Sequence, residues 1–152
     1  MKSTKRDWLN FTVGFVTATI VALSVSDATG ATHRDIVAST LILEAGGEYT
    51  KGAMESVHEV IYNRSMKRNK SMSAVCLQAW QFSCWNENDV DTNIAKAQNH
   101  PRWHEAMKIV DTAQISNFTN GADHYYAEYI DEPYWASSLT RTTSIGRHIF
   151  FK

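Results

Sequence analysis

From Thr32 onward the apolar positions of the chain recur mostly at helical spacing. Val37, Leu41 and Glu44 fall at i, i+4 and i+7, with Ala38 and Ile42 beside them, which predicts one amphipathic helix. The pair Gly46-Gly47 should end it. A second helix is predicted to start with Thr50 as its N-cap, with Tyr49 and Met54 as a hydrophobic staple and Met54, Val57, Ile61 and Arg64 along one face. A shorter helix should begin near Ser71 and carry Ala74, Val75 and Leu77. Another should begin near Pro101, a favoured first helical position, with Trp103, Met107, Val110 and Ala113 as its face. After Asn120-Gly121 the character changes. Ala122 to Tyr129 and Ser144 to Phe151 are rich in aromatic and β-branched residues and predict two short strands. The segment between them, with Pro133 and Trp135, is too long for a tight hairpin. The fold class is therefore α+β, mostly helical with a small antiparallel sheet near the C-terminus.

The first thirty-odd residues follow another rule. Lys2, Lys5 and Arg6 precede an apolar stretch from Trp8 to Val25, and the small residues Ala28-Thr29-Gly30-Ala31 come next. That order is the pattern of a secretory signal peptide, with a retained membrane anchor as the other possibility. Both put the rest of the chain outside the cytoplasm: periplasmic, extracellular or held at a membrane. Residues 1–31 are thus set apart as the leader, and 32–152 as one domain that carries the function.

Composition narrows the partners. The 152 residues carry a formal net charge of -1, which disfavours nucleic acid, since phosphate binding needs a concentrated basic surface. The loose basic cluster Lys67, Arg68 and Lys70 reads as a solvated helix end. Nothing in the sequence calls for an oligomer, and a monomer is expected. Cys76 and Cys84 are not a CxxC pair. Close together in an exported chain, they are expected to form a disulfide, two separate buried thiols being the alternative.

Candidate chemistry centres on Glu44. It shares the stripe of Val37 and Leu41 in the last turn of its helix, just ahead of two glycines that leave room for a bulky substrate. Burial there would favour the protonated acid, the form that protonates a glycosidic oxygen as the bond breaks. The competing reading is a helix-end Glu paired with a base such as Arg64. Glu48, past the helix break, is a second carboxylate, a loop-orienting group or simply exposed. The histidines raise zinc chemistry. His100 and His104 have ligand spacing with Glu105 adjacent, but Pro101 pushes His100 out of helical geometry and there is no HExxH. His124 and His148, on the two predicted strands with Asp123 nearby, could meet in space.

The run Glu44-Ala45-Gly46-Gly47-Glu48, then Gly52, then Val60-Ile61-Tyr62-Asn63-Arg64 resembles the signature of the spore-cortex-lytic-enzyme type of cell wall hydrolases. The resemblance continues through Val75-Cys76 and Gln81-Phe82-Ser83-Cys84-Trp85. It resumes at Asn120-Gly121-Ala122-Asp123-His124-Tyr125-Tyr126, Pro133-Tyr134-Trp135-Ala136 and Ile145-Gly146-Arg147-His148-Ile149-Phe150. Each block is weak alone, and their order makes the signal strong.

The resemblance implies a lysozyme-like fold related to lytic transglycosylases, with peptidoglycan as partner and no cofactor. It makes Glu44 the acid/base and gives Glu48 a supporting part. A two-carboxylate glycosidase needs a second acid, for which Glu48 and Asp123 are the candidates. A lytic transglycosylase needs one, because the muramic acid C6 hydroxyl is the nucleophile, and the sequence leans toward that route. Tyr125, Tyr126 and Trp135 offer flat faces to sugars, while Gln81, Asn86 and His124 offer hydrogen bonds. For Phe82 and Phe150 a core role is expected. Two other functions stay open: a zinc-dependent amidase or peptidase built on His124 and His148, and a non-catalytic wall-binding module, in which Glu44 would have no use.

Overall fold

A computed structural model describes residues 30–86 and 88–152; the expected leader lies outside them, apart from Gly30 and Ala31. Helix α1 (His33–Ala45) starts at Thr32, whose side chain accepts from the Asp35 N–H while the Asp35 carboxylate accepts from the Thr32 N–H. This reciprocal cap satisfies donors that a helix start leaves open. Ile36 to Ile42 and Ala45 are buried, so α1 is the centre of the core.

Helix α2 (Ala53–Arg68) begins later than the sequence suggested. Its N-cap is Gly52, at φ 84, rather than Thr50. Thr50 instead closes a turn by accepting from the Ala53 N–H, and Tyr49 is exposed over the Arg102 guanidinium, so the staple does not form. Gly52 is required twice over: its φ is left-handed, and a Cβ there would press on the Phe118 ring. Helix α3 (Met72–Cys76) is capped by Ser71, as expected. Helix α4 (Val90–Gln98), capped by Asp89, was not foreseen. Helix α5 (Trp103–Asp111) buries only Ala106 completely; Trp103, Met107 and Val110 lean on the core, and Ala113 lies beyond the helix, exposed.

The sheet has three strands, β1 (His124–Ala127), β2 (Arg141–Ile145) and β3 (His148–Phe151), in the order β1-β3-β2 and antiparallel throughout. The run from Ser144 to Phe151, read as one strand, is the end of β2, a turn at Gly146-Arg147 and β3. The turn is possible because Gly146 takes φ 56, and a Cβ at this position would strike the Glu48 carboxylate. The fold is α+β. Among the described residues no helix is long and apolar enough to cross a membrane.

Candidate active site

Two side chains at the end of α2 fix the sheet to the helices. Asn63 donates to the Ala122 carbonyl at 2.8 Å, and Arg64 donates to the Asp123 carbonyl at 2.7 Å and to the Gln81 carbonyl at 3.2 Å. Arg64 also lies over the Phe82 ring. These bonds bring β1 and the Trp80–Phe82 segment together beside the last turn of α1. The Arg64 guanidinium is therefore not the partner of Glu44. Burial lowers its pKa from the usual arginine value, and the positive charge of Arg68 adds to that effect.

Glu44 stands where these elements meet. Its Oε2 accepts the Tyr125 hydroxyl at 2.8 Å, and its Oε1 lies 3.5 Å from the Cys84 N–H. Glu44 is half-buried rather than sunk in the apolar stripe. Tyr125 stays protonated: burial, and then the Glu44 charge, push its hydroxyl well above the ordinary tyrosine range. It is thus a permanent donor to Glu44.

Cys76 and Cys84 are both free thiols, which corrects the expected disulfide. Each has another partner. The Cys76 thiol lies on the buried face of α3 hydrogen-bonded with Thr40, and burial pushes it up to about 12. The Cys84 thiol is hydrogen-bonded with Glu44, and burial together with that charge raises its pKa. Neither is a thiolate at neutral pH, so both should react slowly until the chain unfolds. Alkylation in denaturant without reductant should add two labels per chain; protein that takes none would restore the disulfide.

The other carboxylates are engaged elsewhere. Glu48 faces the Gly146–Arg147 turn, with Oε1 at 3.5 Å from the Arg147 guanidinium, which ties the α1–α2 loop to the β2–β3 turn. Asp123 accepts from Lys67 at 2.6 Å and from His124 at 2.6 Å. Burial alone would raise its pKa, and these two partners overcome that and hold it low. Lys67 is accordingly not a merely solvated residue, and Arg68 and Lys70 likewise turn back, onto Gln81 and Gln78.

His124 and His148 do not meet. The register sets His124 opposite Phe151 and His148 opposite Ala127, at the two ends of the β1–β3 ladder. Among the described residues no three His, Cys, Asp or Glu side chains gather as a metal-holding group. His148 packs edge-on against Tyr125, with ring centroids 4.9 Å apart, and burial lowers its pKa against the opposing charges of Glu44 and Glu48. His100, before Pro101, uses Nδ1 to accept the Arg102 N–H.

Beside Tyr125 opens a cavity of about 410 Å³. Four residues singled out from the sequence line it: Gln81, His124, Tyr125 and Trp135. Tyr126 does not, its ring being stacked on Phe151 and packed edge-on against Trp135, and Asn86 sits exposed at the end of a 3-10 turn, Ser83–Trp85. Phe82 and Phe150 are core. The sequence reading missed Arg68, Trp80 and Tyr134 in the lining. Arg68 was findable, being one turn beyond Arg64 on the same face. Trp80 and Tyr134 are 84% and 92% exposed, and nothing in sequence separates such aromatics from core ones. A cavity of about 500 Å³ on the far side of α2, walled by Glu55, His58 and Lys108, contains none of these groups.

A family model described as Cell Wall Hydrolase matches residues 47–151. No curated protein and no solved structure matches the chain. Glu48 and the sheet residues lie inside the matched segment, whereas Glu44 stands just before it, so its assignment rests on its surroundings.

Proposed function

The chain belongs to the cell wall hydrolase family, and from that premise we propose that it cuts peptidoglycan glycan strands as a lytic transglycosylase with Glu44 as acid and base. The observation that carries this reading is the setting of Glu44: a carboxyl group held by the hydroxyl of Tyr125, a residue that itself lines an aromatic-walled cavity. The route with one carboxylate is favoured because Glu48 and Asp123 are committed to Arg147, and to Lys67 and His124. Protonated Glu44 gives its proton to the glycosidic oxygen as the bond to the muramic acid C1 breaks. The C6 hydroxyl of the same sugar attacks C1, and the Glu44 carboxylate takes the hydroxyl proton. The acid is restored, no water is consumed, and the new end is a 1,6-anhydro sugar.

Proton transfer by a carboxyl group needs no metal. Release of soluble fragments from purified peptidoglycan is therefore expected to persist in EDTA. Abolition by EDTA with recovery on adding zinc would move the chemistry to an amidase or peptidase. The proposal includes a location outside the cytoplasm, which the leader pattern in the sequence supports, and cell fractionation checks it. Full-length, soluble cytoplasmic protein as the sole species contradicts that location.

A further inference from the structure

The cavity beside Tyr125 holds charge that the proton transfer does not use. Arg64 and Arg68 both line it, and no aspartate or glutamate does. Arg64 is satisfied by two backbone carbonyls, and Arg68 by the side-chain oxygens of Gln78 and Gln81. Among the described residues neither guanidinium forms an ion pair. Asp123, the acid close by, is already taken by Lys67 and His124. Burial and the neighbouring Arg68 charge weigh on Arg64, the Asp123 and Glu44 charges offset part of that cost, and two cations hydrogen-bonded only to neutral acceptors still make a site suited to an anion. Trp80, Tyr134 and Trp135 stand around them, and the first two are almost fully exposed. Flat apolar faces beside guanidinium groups suit a sugar ring that carries a carboxylate.

We propose that Arg68, backed by Arg64, reads a carboxylate on the C3 substituent of the muramyl residue, so that the cavity selects an anionic sugar over a neutral one. The inference rests on the glycan-cleaving reading above. The carboxylate has two sources. One is the peptide stem attached to the lactyl ether, and the other is the lactyl group itself where no stem is attached.

The test measures kcat/KM for the wild-type chain, Arg68→Gln and Arg68→Lys on three soluble glycans. These are stem-bearing chains, chains stripped of stems by an amidase, and chitin oligosaccharides, which carry no carboxylate. A charge-assisted bond at a partly exposed site predicts a preference of about tenfold or more for the anionic glycans. Arg68→Gln should lose most of that preference through KM, Arg68→Lys should keep part of it, and added salt should narrow it. An effect confined to stem-bearing chains assigns the stem carboxylates, and one that survives stripping assigns the lactyl group. No preference in the wild type, or an unchanged preference in folded Arg68→Gln, overturns the subsite while leaving glycan cleavage standing. A wild-type chain that cleaves none of the three overturns the glycan reading and the subsite with it. Competition on the wild-type protein gives the answer without a variant: N-acetylmuramic acid should inhibit more strongly than N-acetylglucosamine, and equal inhibition overturns the subsite.

Discussion

Glu44→Gln should fold like the parent and lose roughly two to four orders of magnitude in rate, the usual weight of general acid–base catalysis. The amide keeps the shape of the side chain and can still accept the Tyr125 hydroxyl through its oxygen. It cannot give a proton to a leaving group and take one back. Because the lost interaction acts on the reacting proton, the loss should appear in kcat more than in KM. Glu48→Gln makes the contrast. That side chain faces the Gly146–Arg147 turn, and its pairing with a largely exposed arginine is worth little. Its loss should loosen the α1–α2 loop and lower activity much less. The two variants, assayed on purified peptidoglycan with a melting curve for each, separate acid from support. A Glu48→Gln enzyme as dead as Glu44→Gln would give both carboxylates a direct part, as a two-acid glycosidase requires.

Glu59→Leu is expected to be the most damaging substitution for stability outside the apolar core. Glu59 is 2% exposed on α2, yet its carboxylate is fully used. It accepts the Thr119 N–H at 3.0 Å, the Thr119 hydroxyl and the Gly121 N–H at 3.3 Å, and so pins the loop that leads into β1. Leucine would leave these buried donors without an acceptor, at about 1–3 kcal/mol each and roughly 3–5 kcal/mol together. For a domain of this size that is roughly 10–20 °C in Tm. Glu59→Gln retains one oxygen and should lose less. Thermal unfolding of both variants decides it, and a Glu59→Leu protein within a degree or two of the parent would show that the loop is held by other means. Activity should fall together with stability, because β1 carries Tyr125.

The apolar stripe and the glycine pair made α1 legible in sequence, and with it the position of Glu44, while the Thr32–Asp35 cap emerged only in the fold. The Asn63-Arg64 ending of α2 was visible as a motif, but its purpose was not. Only the folded chain shows that both side chains reach the backbone entering β1. Helix α4 escaped notice because its buried positions, Asn93, Ile94 and Ala97, make too narrow a stripe, although Asp89 ahead of Thr92 was a readable cap. The last two strands merged into one because only Gly146-Arg147-His148 separates Ile145 from the run Ile149-Phe150-Phe151. Burial of Glu59 and of His58 could not be read at all. They lie off the Met54–Val57–Ile61 face and are covered by a loop some sixty residues further along the chain. Cys84 shows the same limit: its nearness to Cys76 in sequence suggested a bond, while its thiol is committed to a carboxylate from α1.

The bond that is cut tests the central claim most directly. Purified peptidoglycan digested by the full chain, with Glu44→Gln in parallel, can be resolved by mass spectrometry of the soluble products. The account predicts disaccharide–peptide fragments ending in 1,6-anhydro-muramic acid from the wild type and none from folded Glu44→Gln. Reducing muramic ends would keep glycan cleavage and replace the internal hydroxyl with water. Free stem peptides with intact glycan strands would contradict the account.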